Sequence, residues 1–234
     1  MYDPILLLIF GAFLVLSWIV SSRLKSKFRK YAKVPMSYGM AGKDVAEKML
    51  RDNGIYDVKV VSVPGQLTDH YNPANRTVNL SPEVYSGHGV SSAAVAAHEC
   101  GHAVQHAQGY APLELRSALV PLQNVSGRVL NFIFIAMIFG AFLLPGLLPY
   151  KLALQIIIGC YTIFTLFAFI TLPVEINATQ RALVWLNSSG VATGAVHDKA
   201  KDALKWAAYT YVVAALSSLV TLLYYVLRYI GLDD

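Results

Sequence analysis

SSAAVAAHECGHAVQHAQG, residues 91–109, sets three histidines and one glutamate in a run otherwise dominated by alanine and other small residues. Ser91 or Ser92 offers an N-cap and Gly109 a stop, so the stretch predicts one helix ending near Gln108. At roughly 100° per residue, Glu99 and His102 stand about 100° and 40° around the axis from His98. The two imidazoles are one turn apart on one face and can share a tetrahedral zinc at about 2.0–2.1 Å. Glu99 points to the same side, beside the water that such a metal activates, where it can act as a general base. HExxH on a helix is therefore read as a zinc peptidase signature rather than as an amphipathic helix with solvated histidines. Cys100 lies roughly 200° from His98 and is read as a packing residue.

A catalytic zinc takes three protein ligands and keeps one position open. His106 continues the spacing, but it sits about 12 Å along the axis from His98, past the metal. The longer motif that uses a third histidine needs a glycine where this chain has Gln105 and a histidine where it has Gln108. His106 is read instead as a polar surface residue or one that supports the site from outside.

Outward from this stretch the composition changes. Of the 234 residues, 56% are hydrophobic and 14% charged, and the mean hydropathy is +0.49. Four runs carry no formal charge: 4–22, 129–150, 152–174 and 206–227. Each is 19 to 23 residues long, and roughly 20 helical residues cross a hydrocarbon core. Four transmembrane helices are predicted. After the first comes a cluster of Arg23, Lys25, Lys27, Arg29, Lys30 and Lys33, which reads as a cytoplasmic flank able to hold anionic lipid headgroups. A nucleic-acid patch is the weaker reading of a charge run placed directly after a span. The N- and C-termini then lie outside a plasma membrane, and residues 23–128 and 175–205 lie in the cytoplasm. Two cysteines, Cys100 and Cys160, form no disulfide framework.

The span count also places Glu175. It follows the third run directly in VEINATQRA, residues 174–182. Two spans separate it from the HExxH helix, so both return to the same side, and a carboxylate beside an apolar run calls for a role. Glu175 is taken as third zinc ligand, against the plainer reading of a carboxylate at a helix start after Pro173. The remainder of the soluble part reads as α+β. A helix is expected over 42–55, with Val45, Ala46, Met49 and Leu50 on its buried face, then strands over 58–63, 67–71 and 76–80. A short helix starts at Pro82.

HECGHAVQHAQGY (98–110), VEINATQRA and DHYNPANRTVNLS (69–81), spread over nearly the whole chain, resemble the YugP-like bacterial membrane neutral zinc metallopeptidases. That resemblance implies one Zn2+ per chain held by His98, His102 and Glu175, with Glu99 catalytic. It implies a small zincin-like α+β domain joined to about four transmembrane helices. More distantly the chain is similar to HtpX-type membrane peptidases of the gluzincin type, which place an Asp four residues after the glutamate ligand to orient an imidazole. Here Thr179 occupies that position, with Asn177 the second choice. His70, Tyr71, His88, Tyr110 and Arg181 are the candidate oxyanion donors, and 76–80, if an edge strand, can pair with an extended peptide substrate.

The chain thus divides into an anchor (1–22), a cytoplasmic zincin-like domain (23–128), a transmembrane hairpin (129–174), a cytoplasmic helical segment (175–205) and a last transmembrane helix (206–234). Its expected function is hydrolysis of peptides or membrane-protein segments at the cytoplasmic face, with no nucleic-acid partner. A non-proteolytic, zinc-stabilised membrane scaffold is the alternative, and a catalytic base at Glu99 argues against it. Cleavage inside the bilayer is excluded by the polarity of the HExxH helix, and a channel by the lack of charges within the spans.

Overall fold

The computed structural model describes residues 3–36, 39–143 and 149–231. Both chain ends and residues 144–148 of the expected second span lie outside these. The element order is α1 (Pro4–Ala32), α2 (Gly42–Asp52), β1 (Lys59–Ser62), β2 (His70–Asn72), β3 (Thr77–Leu80), α3 (Pro82–Tyr85), α4 (Val90–Ala107), α5 (Ala111–Leu143), α6 (Tyr150–Ser188) and α7 (Gly194–Ile230). Among the described residues four helices, α1, α5, α6 and α7, are long and apolar enough to cross a membrane. The first, third and fourth predicted spans lie within longer rods, and α5 carries the second as far as Leu143, because helical hydrogen bonding continues from the apolar runs into polar sequence. α6 runs unbroken through Pro173, so Glu175 lies in mid-helix and not at a helix start.

One compact unit comprises residues 1–17, 115–172 and 211–234. Its interior holds Leu130, Ile133, Leu154, Ile157 and Tyr225, while large apolar side chains turn outward. Leu8 is 73% exposed, Leu14 70% and Phe132 69%. Surface of that kind is unfavourable in water at about 25 cal/mol per Å² and costs nothing against lipid.

The other unit comprises residues 18–114 and 173–210 and contains every residue of the candidate site. α4 is its axis. Alanines, Gly101 and short side chains let neighbours approach on all sides, and Val90, Ala93, Ala94, Ala96, Ala97 and Cys100 are fully or almost fully covered. α2 has only 11 residues, too few to be stable alone. It is held by burial of Val45, Ala46, Met49 and Leu50 in the same core, each larger side chain contributing about 1.5–3 kcal/mol.

The three-stranded sheet has the order β1-β3-β2. β1 pairs parallel to β3 with Lys59 opposite Thr77, and β2 pairs antiparallel with Tyr71 opposite Val78. The strand over 76–80 is therefore central, not the edge expected for substrate pairing. Val78, Leu80 and Asn79 make it the most buried strand, which is why it takes the middle place. The expected N-cap is also displaced. Gly89 caps α4, and Ser91 and Ser92 are buried inside it. Ser92 Oγ donates to the Glu83 carbonyl instead of to the helix end.

Candidate metal centre

α4 presents His98, Glu99, His102 and Gln105, and α6 presents Glu175, Asn177 and Thr179. The two helices can meet closely because position 101 has no side chain. A Cβ there would stand 2.6 Å from the Ala178 carbonyl oxygen. Gly101→Ala is expected to push α6 off α4 by several tenths of an ångström, with a loss of about 1–3 kcal/mol in stability. Chemical denaturation of the purified variant measures this.

The approach brings His98, His102 and Glu175 together. One ligand atom of each lies within 4.8 Å of the others. Glu175 Oε2 is 3.2 Å from His98 Nε2 and 3.5 Å from His102 Nε2. Donors at the corners of a tetrahedron of radius about 2.0–2.1 Å stand roughly 3.3 Å apart, so this spacing matches a zinc cradle. Glu175 is 2% exposed and His102 6%. Carboxylates are costly to bury without a cation or several donors, and this one faces two imidazole nitrogens.

Each imidazole is held by its other nitrogen. Thr179 Oγ1 lies 3.1 Å from His98 Nδ1. Gln105 Oε1 lies 2.9 Å from His102 Nδ1. Gln105 entered the sequence reading only as a residue that breaks a longer motif, but it is fully buried here. Its position three residues after His102 on the same helical face was the available signal. Its amide donates to the Val174 carbonyl at 2.9 Å and to Asn177 Oδ1 at 3.0 Å. Asn177 thus bonds Gln105, one step out from the histidine ring.

Glu99 is 8% exposed, and the Tyr71 backbone N–H donates to its Oε2 at 3.0 Å. Burial pushes its carboxyl up to about 7, with Glu175 and Asp69 adding to the rise and His98 and the Tyr71 N–H opposing it. A divalent cation in the cradle would act against that rise. Cys100 faces the other way, with Sγ 3.5 Å from the Ala46 carbonyl. Burial raises its thiol well above the usual range, so it stays protonated and is no thiolate ligand.

The remaining sequence candidates are placed as follows. His106 Nδ1 pairs with the Tyr71 hydroxyl at 2.7 Å. His70 and His88 are exposed and lie against the carbonyls of Thr68 and Gly39. Arg181 donates to Asn177 Oδ1 at 2.7 Å and to Gln108 Oε1 at 2.6 Å, and its guanidinium sits over the Tyr110 ring. Of the five oxyanion candidates, the structure brings Tyr71 against the Glu99 carboxylate.

A sequence profile described as "Putative neutral zinc metallopeptidase" matches residues 6–230. The chain belongs to this family. Zinc is accordingly the metal that this metallopeptidase family implies, and the cluster of His98, His102 and Glu175 has the donor types and spacing to take it. A relative, "Putative membrane protease YugP" of Bacillus subtilis (strain 168), is 41% identical over 224 residues, covering 95% of this chain and 96% of that protein. No solved structure matches the chain. With four apolar helices of spanning length, the chain is a membrane protein of a zinc metallopeptidase family.

Proposed function

We propose that this protein is a gluzincin-type endopeptidase of the cytoplasmic membrane face, with one zinc per chain held by His98, His102 and Glu175 and with Glu99 as general base. The observation that carries this reading is the meeting of the Glu175 carboxylate with both imidazoles at 3.2 and 3.5 Å. Zinc, when bound there, supplies a Lewis acid and makes a water acidic enough to lose a proton near neutral pH. Glu99 takes that proton on the carboxylate oxygen left free by the Tyr71 N–H, and returns it to the leaving amine. Tyr71 keeps the carboxylate aimed while its phenol is held by His106.

The HExxH helix beside a small sheet supports a zincin-like arrangement. β2 pairs with β3 along one edge only, and its Tyr71 N–H, given to Glu99, faces away from β3. An extended peptide added beside β2 would pass the glutamate, so β2 takes the role first assigned to 76–80. Residues 23–128 and 175–205 form the cytoplasmic part in this reading, flanked by the anchor 1–22, the hairpin 129–174 and the last span 206–234. The basic flank 23–33 meets anionic headgroups there. A membrane-impermeant thiol reagent should label Lys201→Cys only after cells are opened; labelling of intact cells would reverse the sidedness.

The activity itself is tested with the full-length protein in detergent and an unfolded protein as substrate. Cleavage is expected, with loss on chelation and return on adding zinc. Cleavage that persists after zinc is removed would contradict a metal-dependent mechanism.

A further inference from the structure

Hydrogen-bond polarity around Gln105 reaches further than its distances alone. Its side chain is fully buried and touches three partners, His102, Val174 and Asn177, and the chemistry of two groups in this network is one-directional. The Val174 carbonyl can only accept, so the end of the amide facing it at 2.9 Å is the NH2. The Arg181 guanidinium can only donate, so Asn177 turns its Oδ1 toward it at 2.7 Å. That same Oδ1 then accepts from Gln105 Nε2 at 3.0 Å. Two independent groups therefore demand the same orientation of the Gln105 amide. Its oxygen is left facing His102 Nδ1 at 2.9 Å, and an amide oxygen there requires a hydrogen on Nδ1. The lone pair of the neutral ring is thereby put on Nε2, the nitrogen beside Glu175.

From this we infer that Gln105 is the positioning residue of the metal centre. Resting on the zinc site proposed above, it acts as an amide clamp that fixes the tautomer and ring angle of His102. Through Val174 and Asn177 it also fixes the register of α6, which carries Glu175 between those two residues. One neutral side chain thereby aligns one ligand of each helix. A carboxylate in its place would keep the acceptor for His102 but set its second oxygen against the Val174 carbonyl and Asn177 Oδ1, neither of which can donate to it.

The test uses full-length protein and Gln105→Met, which keeps volume and removes all three contacts, beside Gln105→Glu, which keeps only the acceptor. Zinc affinity is read by chelator competition, and the ligand geometry by the visible absorption of the cobalt(II)-substituted protein. Both variants are expected to bind zinc about ten- to a hundred-fold more weakly and to show an altered cobalt spectrum, with helical content retained. Wild-type affinity and spectrum in both variants would overturn the inference, as would wild-type behaviour of Gln105→Glu alone, because a bare acceptor would then suffice. Should Gln105→Met fail to fold, Asn177→Ala decides. It removes one anchor and is expected to weaken zinc several-fold and shift the cobalt band, and an unchanged band would overturn the clamp. A wild-type protein that binds no zinc would instead overturn the underlying zinc reading, and the clamp with it.

Discussion

Glu99→Gln is expected to lower peptide hydrolysis by about 10²–10⁴-fold while zinc content stays at the wild-type level. The substitution keeps the volume of a side chain that is 8% exposed, and its carbonyl oxygen can still accept the Tyr71 N–H. It removes only the capacity to take a proton. Glu99 lies next to His98 in sequence, yet the structure turns it to the β2 side, and Glu175 is the carboxylate that meets the imidazoles. The measurement is turnover and zinc content on the same purified sample. Retained turnover in the glutamine variant would remove Glu99 from the mechanism, and joint loss of zinc and activity would make it a ligand.

Glu175→Ala is expected to have the opposite signature. Zinc falls well below one per chain, and activity disappears with it. Binding to the folded state alone at about 1,000 times Kd stabilises a protein by roughly 4 kcal/mol. For a folded unit of this size that corresponds to a fall of about 10 °C in melting temperature in zinc-containing buffer. His106→Ala provides the contrast, since His106 bonds Tyr71 and not the cradle. It should keep its zinc and lose at most a modest part of its activity. The equilibrium zinc content of the two variants, measured side by side, separates these outcomes.

What the chain discloses before folding depends on how local the cause is. The spacing of His98, Glu99 and His102 needs only the helical period, and the structure places them on one helix as the period requires. Short-range patterning puts the buried face of α2 and the strands over 58–63 and 76–80 close to where they stand, whereas β2 overlaps the expected 67–71 only at His70 and Tyr71, because pairing with β3 begins at His70 opposite Asn79. Glu175 was reachable because membrane crossings restrict the side on which a segment can emerge, a long-range constraint readable by counting. Strand order was not, because β3 takes the centre through burial of Val78 and Leu80 against a core formed by distant segments. The Ser91 and Ser92 hydroxyls looked like caps and are buried within α4, displaced by a Gly89 start that follows from packing. Gln105 is the sharpest case. Its amide meets Val174 and Asn177, some seventy residues on, and no local pattern pairs an alanine-rich helix with the middle of α6.

X-ray absorption at the zinc edge of the purified, full-length protein tests the central assignment most directly. A His98–His102–Glu175 site predicts a first shell of nitrogen and oxygen only, at about 2.0–2.1 Å, with imidazole scattering from two rings. A sulfur neighbour at about 2.3 Å, or a first shell unchanged in Glu175→Ala, would contradict it.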